Sequence, residues 1–143
     1  MEYIANYQKL SNNIIQELKL TISVSNWLYK DKEYKMKKIK DCGLYEIDGD
    51  YIIAYKSTKK GGVSTFNSAY KYQVGGVYES LCDCDTYYHN SFGLSAWTEN
   101  GALEHFPYGE LYKVKIHIDD VGALVDNLNK IRCFKLEILE RIK

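Results

Sequence analysis

The N-terminal stretch carries apolar residues at three- and four-residue steps: Ile4, Tyr7, Leu10, Ile14, Leu18 and Ile22. That spacing predicts an amphipathic helix with one buried stripe. Gln8, Lys9, Asn12, Asn13, Glu17 and Lys19 fall off the stripe. The helix continues or restarts near Trp27 and Leu28, and the lysine-rich run from Lys30 to Asp41 reads as a polar connection. The period then changes to two. Leu44–Ile47 and Tyr51–Tyr55 are β-rich, and Asp48-Gly49 between them is a tight hairpin turn signal. Tyr70–Val74 alternates as a strand that Gly75-Gly76 breaks. Phe92–Trp97 predicts a short buried strand. Thr98 is placed to cap a short helix carrying Ala102, Leu103 and Phe106, which Pro107 and Gly109 end. In the next strand Tyr112, Val114, Ile116 and Ile118 alternate with Lys113, Lys115 and His117, so one face is buried and one is wet. Ile131–Leu139 reads as a final strand interrupted by Lys135.

These elements predict an α+β fold: an N-terminal helix packed on a mostly antiparallel β-sheet, with a short inserted helix. The 143 residues suit one domain, helical over 1–41 and β-rich over 42–143. Lys plus Arg and Asp plus Glu both number 19. A zero formal charge argues against a nucleic-acid partner, which calls for a basic excess to displace counterions. No apolar run has the length of a membrane span, and the start has no signal-peptide pattern. The expected setting is cytoplasmic, where the four cysteines stay reduced.

Tyrosine is the compositional outlier, with 14 copies against 4 phenylalanines and 2 tryptophans. A ring with a polar tip suits half-buried sheet faces, pockets and interfaces. Most of the excess fits a sheet with one wet face. Interface enrichment of aromatics adds a lean toward a homodimer.

Four constellations are candidates for chemistry. Cys82 and Cys84 with His89 form a partial zinc set, with His105 or Cys133 as a fourth ligand, but the spacing departs from structural zinc knuckles. Reduced cysteines are also small buried hydrophobes. A cysteine nucleophile is disfavoured, because Asp83 and Asp85 would raise the thiol pKa. Gly61-Gly62 and Gly75-Gly76 match no phosphate-binding loop and read as turns or bulges. The polar-aromatic stretch Asp85–Ser91, with Tyr87, Tyr88, His89 and Asn90, has the make-up of a ligand loop on a rigid scaffold. Incidental aromatics on a surface loop are the competing explanation.

From Tyr55 onward the chain resembles an uncharacterised family of small phage and prophage proteins. The resemblance rests on Tyr55–Thr58, Tyr72–Tyr78, Leu81-Cys82, Phe92–Trp97, Leu111–Ile118 and Lys130–Cys133. Where that family has a Gly-Phe-His turn, this chain has Asp83–Asn90. The likeness implies a mobile-element accessory protein working in the host cytoplasm, and no particular activity. A fainter resemblance is to the ADP-ribosyltransferase fold. Tyr55–Thr58, Gly93–Trp97, Ala102–Phe106 and Leu111–Ile118 follow its order of elements. That likeness implies NAD as cofactor, with Lys56 at the first NAD contact, Ser95 near the second motif and Glu137 as the acid. Lysine lacks the planar fork of the expected arginine.

The combined expectation is a binder without catalysis and without a cofactor. Its ligand-binding residues are Tyr55 and Lys56, Tyr87 to Asn90, and Ser95 with Trp97. Its partner is a nucleotide-like small molecule or a host protein. The alternatives are an NAD-using transferase and a zinc-stabilised interaction module.

Overall fold

The computed structural model describes Trp27, residues 30–86 and residues 90–143. The helix predicted over Ile4–Ile22 lies outside the described residues. The lysine-rich run, expected as a connection, is helix α1 (Lys32–Cys42). Asp31 caps it by accepting from the Tyr34 amide at 2.8 Å, and Gly43 ends it at φ 69°. Met36, Ile39 and Cys42, at three-residue steps, pack on the core, while Lys35 is half-buried and the other lysines are exposed. The stripe has only these three residues in a lysine-rich helix, which is why charge hid it.

The sheet contains β1 (Glu46–Asp48), β2 (Tyr51–Thr58), β3 (Val77–Glu79) and β4 (Leu94–Trp97). After helix α2 (Glu99–His105) come β5 (Glu110–His117), β6 (Val121–Val125), β7 (Lys130–Cys133) and β8 (Lys135–Arg141). All pairings are antiparallel, in the order β3-β8-β5-β2-β4-β7-β6, with β1 also on β2. The fold is α+β, as the periodicity predicts. Among the described residues no helix is long and apolar enough to cross a membrane.

Several boundaries differ from expectation. The hairpin pairs Asp48 with Tyr51, so Gly49-Asp50 forms the loop, one residue later than predicted. Tyr70–Val74 is not a strand. It holds a single bridge, Lys71 to Val63, and its rings cluster instead, with Tyr72 4.9 Å from Tyr78 and 5.1 Å from Tyr70. The predicted strand Ile131–Leu139 is two strands separated by Phe134.

That break shapes the molecule. In sheet order β7 and β8 are four positions apart, about 19 Å in a flat sheet at 4.8 Å per strand. One intervening residue spans at most about 7 Å between their ends. The sheet must therefore curl. Phe134 is buried at the corner, its amide donating to the Asp120 carbonyl and its own carbonyl accepting from Ser80. The concave side gathers Ile52 and Ala54 of β2, Val114 and Ile116 of β5 and Ile138 of β8 into the main core. A smaller cluster, Trp97, Ala102 and Leu111, lies under α2.

Candidate functional site

The site is built where β4 ends. Thr98 follows Trp97 and caps α2, its hydroxyl accepting from the Gly101 amide at 3.0 Å. Its own amide donates to the Asn129 carbonyl at 2.9 Å, tying α2 to the β6–β7 turn. Two turns along α2, His105 returns over Trp97. The two rings stack at 4.4 Å with 18° between planes. Phe66, from the loop before Tyr70, lies 5.2 Å beyond His105, and Thr65 Oγ1 pairs with His105 Nε2 at 2.9 Å. The result is a three-ring stack whose outer member, Phe66, is 68% exposed.

The opposite wall is the β6–β7 turn. Asp126, Asn127 and Leu128 all adopt positive φ, at 54°, 53° and 70°. Three consecutive left-handed non-glycine residues cost on the order of 1 kcal/mol each. The turn is held by the Asn129 amide on the Asp126 carbonyl and by the Tyr45 hydroxyl, which donates to the Leu128 carbonyl at 2.6 Å. It delivers Asp126, Asn129 and Lys130 to a cleft of about 540 Å³ that Trp97, His105 and Phe66 also line.

Lys130 supplies the cleft's cation. Its Nζ donates to Asn90 Oδ1 at 3.2 Å and lies 5.3 Å from the Trp97 ring centre and 5.9 Å from that of Phe66. Burial, then the like charge of Arg132, pulls this amine down to about 8, with Asp126 opposing. Burial also lowers the His105 pKa, helped by Lys130 and Lys56, so the imidazole is neutral at ordinary pH. A polar-rimmed aromatic hollow with one amine, beside the carboxylates of Asp126 and Glu104, can stack a flat ring, read its edges through Asn90 and Asn129, and place an anionic group at Lys130.

Of the expected ligand-binding residues, Trp97 and Asn90 line this cleft. Tyr87, Tyr88 and His89 lie outside the described residues. Tyr55 pairs with Trp97 across the strands and packs in the small cluster under α2. The hollow was expected to be lined by tyrosines, but among the described residues none lines it. Tyr45, Tyr72 and Tyr112 are buried in the core.

Lys56 and Ser95 are brought together, through backbone. β2 and β4 share one pair, Tyr55 with Trp97, and beyond it the Lys56 Nζ donates to the Ser95 carbonyl at 2.6 Å. Its other neighbours are the Tyr72 and Trp97 rings at 4.8 and 5.6 Å. Burial pulls this amine to about 8 as well. Glu137 is elsewhere. It sits on β8, 4.0 Å from Lys115, in a separate cleft with Tyr51 and His117. Strands β5 and β2 stand between it and Ser95.

Cys82, Cys84 and Cys133 are free and buried. Contact with the Cys84 thiol, then burial, raises the Cys82 pKa, and burial pushes Cys133 up to about 12. Both therefore stay as thiols. Among the described residues no three His, Cys, Asp or Glu side chains are grouped to hold a metal ion. Gly61-Gly62 is an anion nest filled from within. At φ 75° and 78° its two amides donate to Glu110 Oε1 at 2.7 and 3.1 Å.

Sequence reasoning missed Phe66 and the Asp126–Lys130 turn, and named His105 only as a zinc ligand. The turn has no glycine to mark its left-handed backbone. Its one local signal is Asp126-Asn127, residue types that tolerate that conformation. No family model matches the chain, and no curated protein or solved structure matches it.

Proposed function

We propose that the protein binds a flat, nucleotide-like small molecule in the cleft between α2 and the β6–β7 turn, and does so without transforming it. The observation that carries this reading is the Trp97–His105–Phe66 stack facing Lys130 across a hollow of about 540 Å³. Phe66 is largely exposed, and a base stacked on its ring would contribute about 1–3 kcal/mol. Lys130 supplies the charge for a phosphate, and Asn90 and Asn129 supply hydrogen bonds to ring edges. A non-enzymatic role is preferred because Lys56, Ser95 and Glu137 do not share a cavity, and the Lys56 amine is engaged by the Ser95 carbonyl. The phage-family resemblance supplies the setting: an accessory protein that holds a small signalling or metabolic nucleotide of its host.

The test is thermal denaturation with a panel of nucleotides and ADP-ribose derivatives. A ligand at a hundred times its Kd adds about 2.7 kcal/mol to the native state, which raises Tm by several degrees. Phe66→Ala should weaken the binding of the active member about tenfold or more while leaving the fold intact, since the side chain is exposed. No shift with any member, or an unchanged affinity in Phe66→Ala, overturns the proposal.

A further inference from the structure

Lys130 has a chemical position that simple ligand binding does not require. It opens β7 directly opposite Trp97, is 4% exposed, and still contributes to the cleft wall. The amine lies over the Trp97 and Phe66 rings, with Asn90 Oδ1 accepting one of its protons. Arg132, two residues along the strand, and Lys56, on β2, are both buried. Both act on Lys130 or are acted on by it as like charges. His105 of α2, its imidazole neutral at ordinary pH, lines the same cleft with the acidic residues Asp126 of the turn and Glu104 of α2. The ring faces favour the ammonium and Asp126 does too. Desolvation and the charge of Arg132 oppose them and prevail, leaving the amine at about 8. An amine desolvated among rings and set beside other cations is the arrangement that makes a lysine nucleophilic.

We propose that Lys130 is a covalent capture residue, condensing with the carbonyl of an aldehyde- or ketone-bearing ligand that enters the cleft. The neutral amine forms a C–N bond to the carbonyl carbon, and the oxygen becomes the hydroxyl of a carbinolamine. The nitrogen then loses its remaining proton as the hydroxyl departs as water, which leaves an imine. No oxidant or reductant takes part. Asn90, on the amine, orients the nitrogen lone pair, and the ring walls of Trp97 and Phe66 favour a flat carbonyl compound. This goes beyond the nucleotide reading and stands without it: a cleft that ignores every nucleotide can still form the imine.

The experiment uses the full chain and pyridoxal 5′-phosphate, a flat phosphate-bearing aldehyde, at less than one equivalent near neutral pH. Borohydride then fixes any imine as a secondary amine, and peptide mass spectrometry finds it. The expected result is labelling of Lys130 about tenfold faster than the exposed Lys37 and Lys38. The labelling rate should level off above about pH 8, where this amine loses its proton. Lys130→Arg, with its fold checked by circular dichroism, should lose the fast fraction. Labelling of Lys130 no faster than Lys37 and Lys38, or none, overturns the proposal. So does a rate that climbs unchanged to about pH 10, the range of an ordinary lysine. Both readouts come from the unaltered protein, so a misfolded variant leaves the test intact.

Discussion

Replacing Glu110 with alanine removes the carboxylate around which the Gly61-Gly62 turn is wrapped. Glu110 is 7% exposed. Its Oε1 accepts from the Gly61 amide at 2.7 Å, the Gly62 amide at 3.1 Å and the Tyr112 hydroxyl at 3.2 Å, and Oε2 lies 3.6 Å from Arg141. Arg141 is largely exposed, so that ion pair contributes little. The amides matter more. Truncation strands the buried Gly62 amide and the Tyr112 hydroxyl, each at about 1–3 kcal/mol. The expected loss is about 3–5 kcal/mol, a large part of a typical total of about 5–15 kcal/mol. Glu110→Gln keeps an acceptor and loses only the charge reinforcement, so about 1–2 kcal/mol is expected. Urea unfolding followed by tryptophan fluorescence measures both, and an unchanged slope would confirm that only stability moved. An alanine variant within about 1 kcal/mol of the parent, or a glutamine variant as damaged as the alanine one, would refute the assignment of the nest to Glu110.

Two other perturbations give sharp outcomes. Gly109→Ala would place a Cβ 1.7 Å from the Thr58 carbonyl oxygen, a backbone atom that cannot move without breaking the β2–β5 ladder, and should abolish soluble folded protein in an expression and circular dichroism test. Lys56→Met removes a buried amine whose pKa is near 8 in the folded state against about 10.5 unfolded. Between those values the unfolded chain binds more protons, so this lysine makes the parent's stability rise with pH there. The variant lacks that rise, so its stability relative to the parent should fall by up to about 3 kcal/mol from pH 8 to about pH 10.5. The difference is the measure, because the buried Cys82 and Cys133 thiols pull both proteins the other way. A pH-independent difference in urea midpoints would show that the Lys56 amine is not depressed.

The local elements were legible wherever one face of a segment is buried and the other wet. The alternation over Tyr112–Ile118 predicted β5, and Thr98 with the apolar residues after it predicted α2, because period and capping are properties of neighbours in the chain. Strand β6 was invisible for the converse reason. Val121–Val125 is buried on both faces and shows no alternation. Helix α1 hid behind its lysines. Of the cleft, Trp97 and Asn90 were named in advance. Phe66, His105 and Lys130 were not named together, since 64 residues of chain separate the first from the last.

The order of apolar and polar residues thus determined the α+β class, the hairpin, the capped helix and the main face of the core. Those features depend on contacts within a few residues. The curl of the sheet at Phe134, the filling of the glycine nest by Glu110 and the meeting of three rings with Lys130 were decided only by tertiary structure. Each depends on pairings between segments distant in the chain, whose register no short-range pattern encodes.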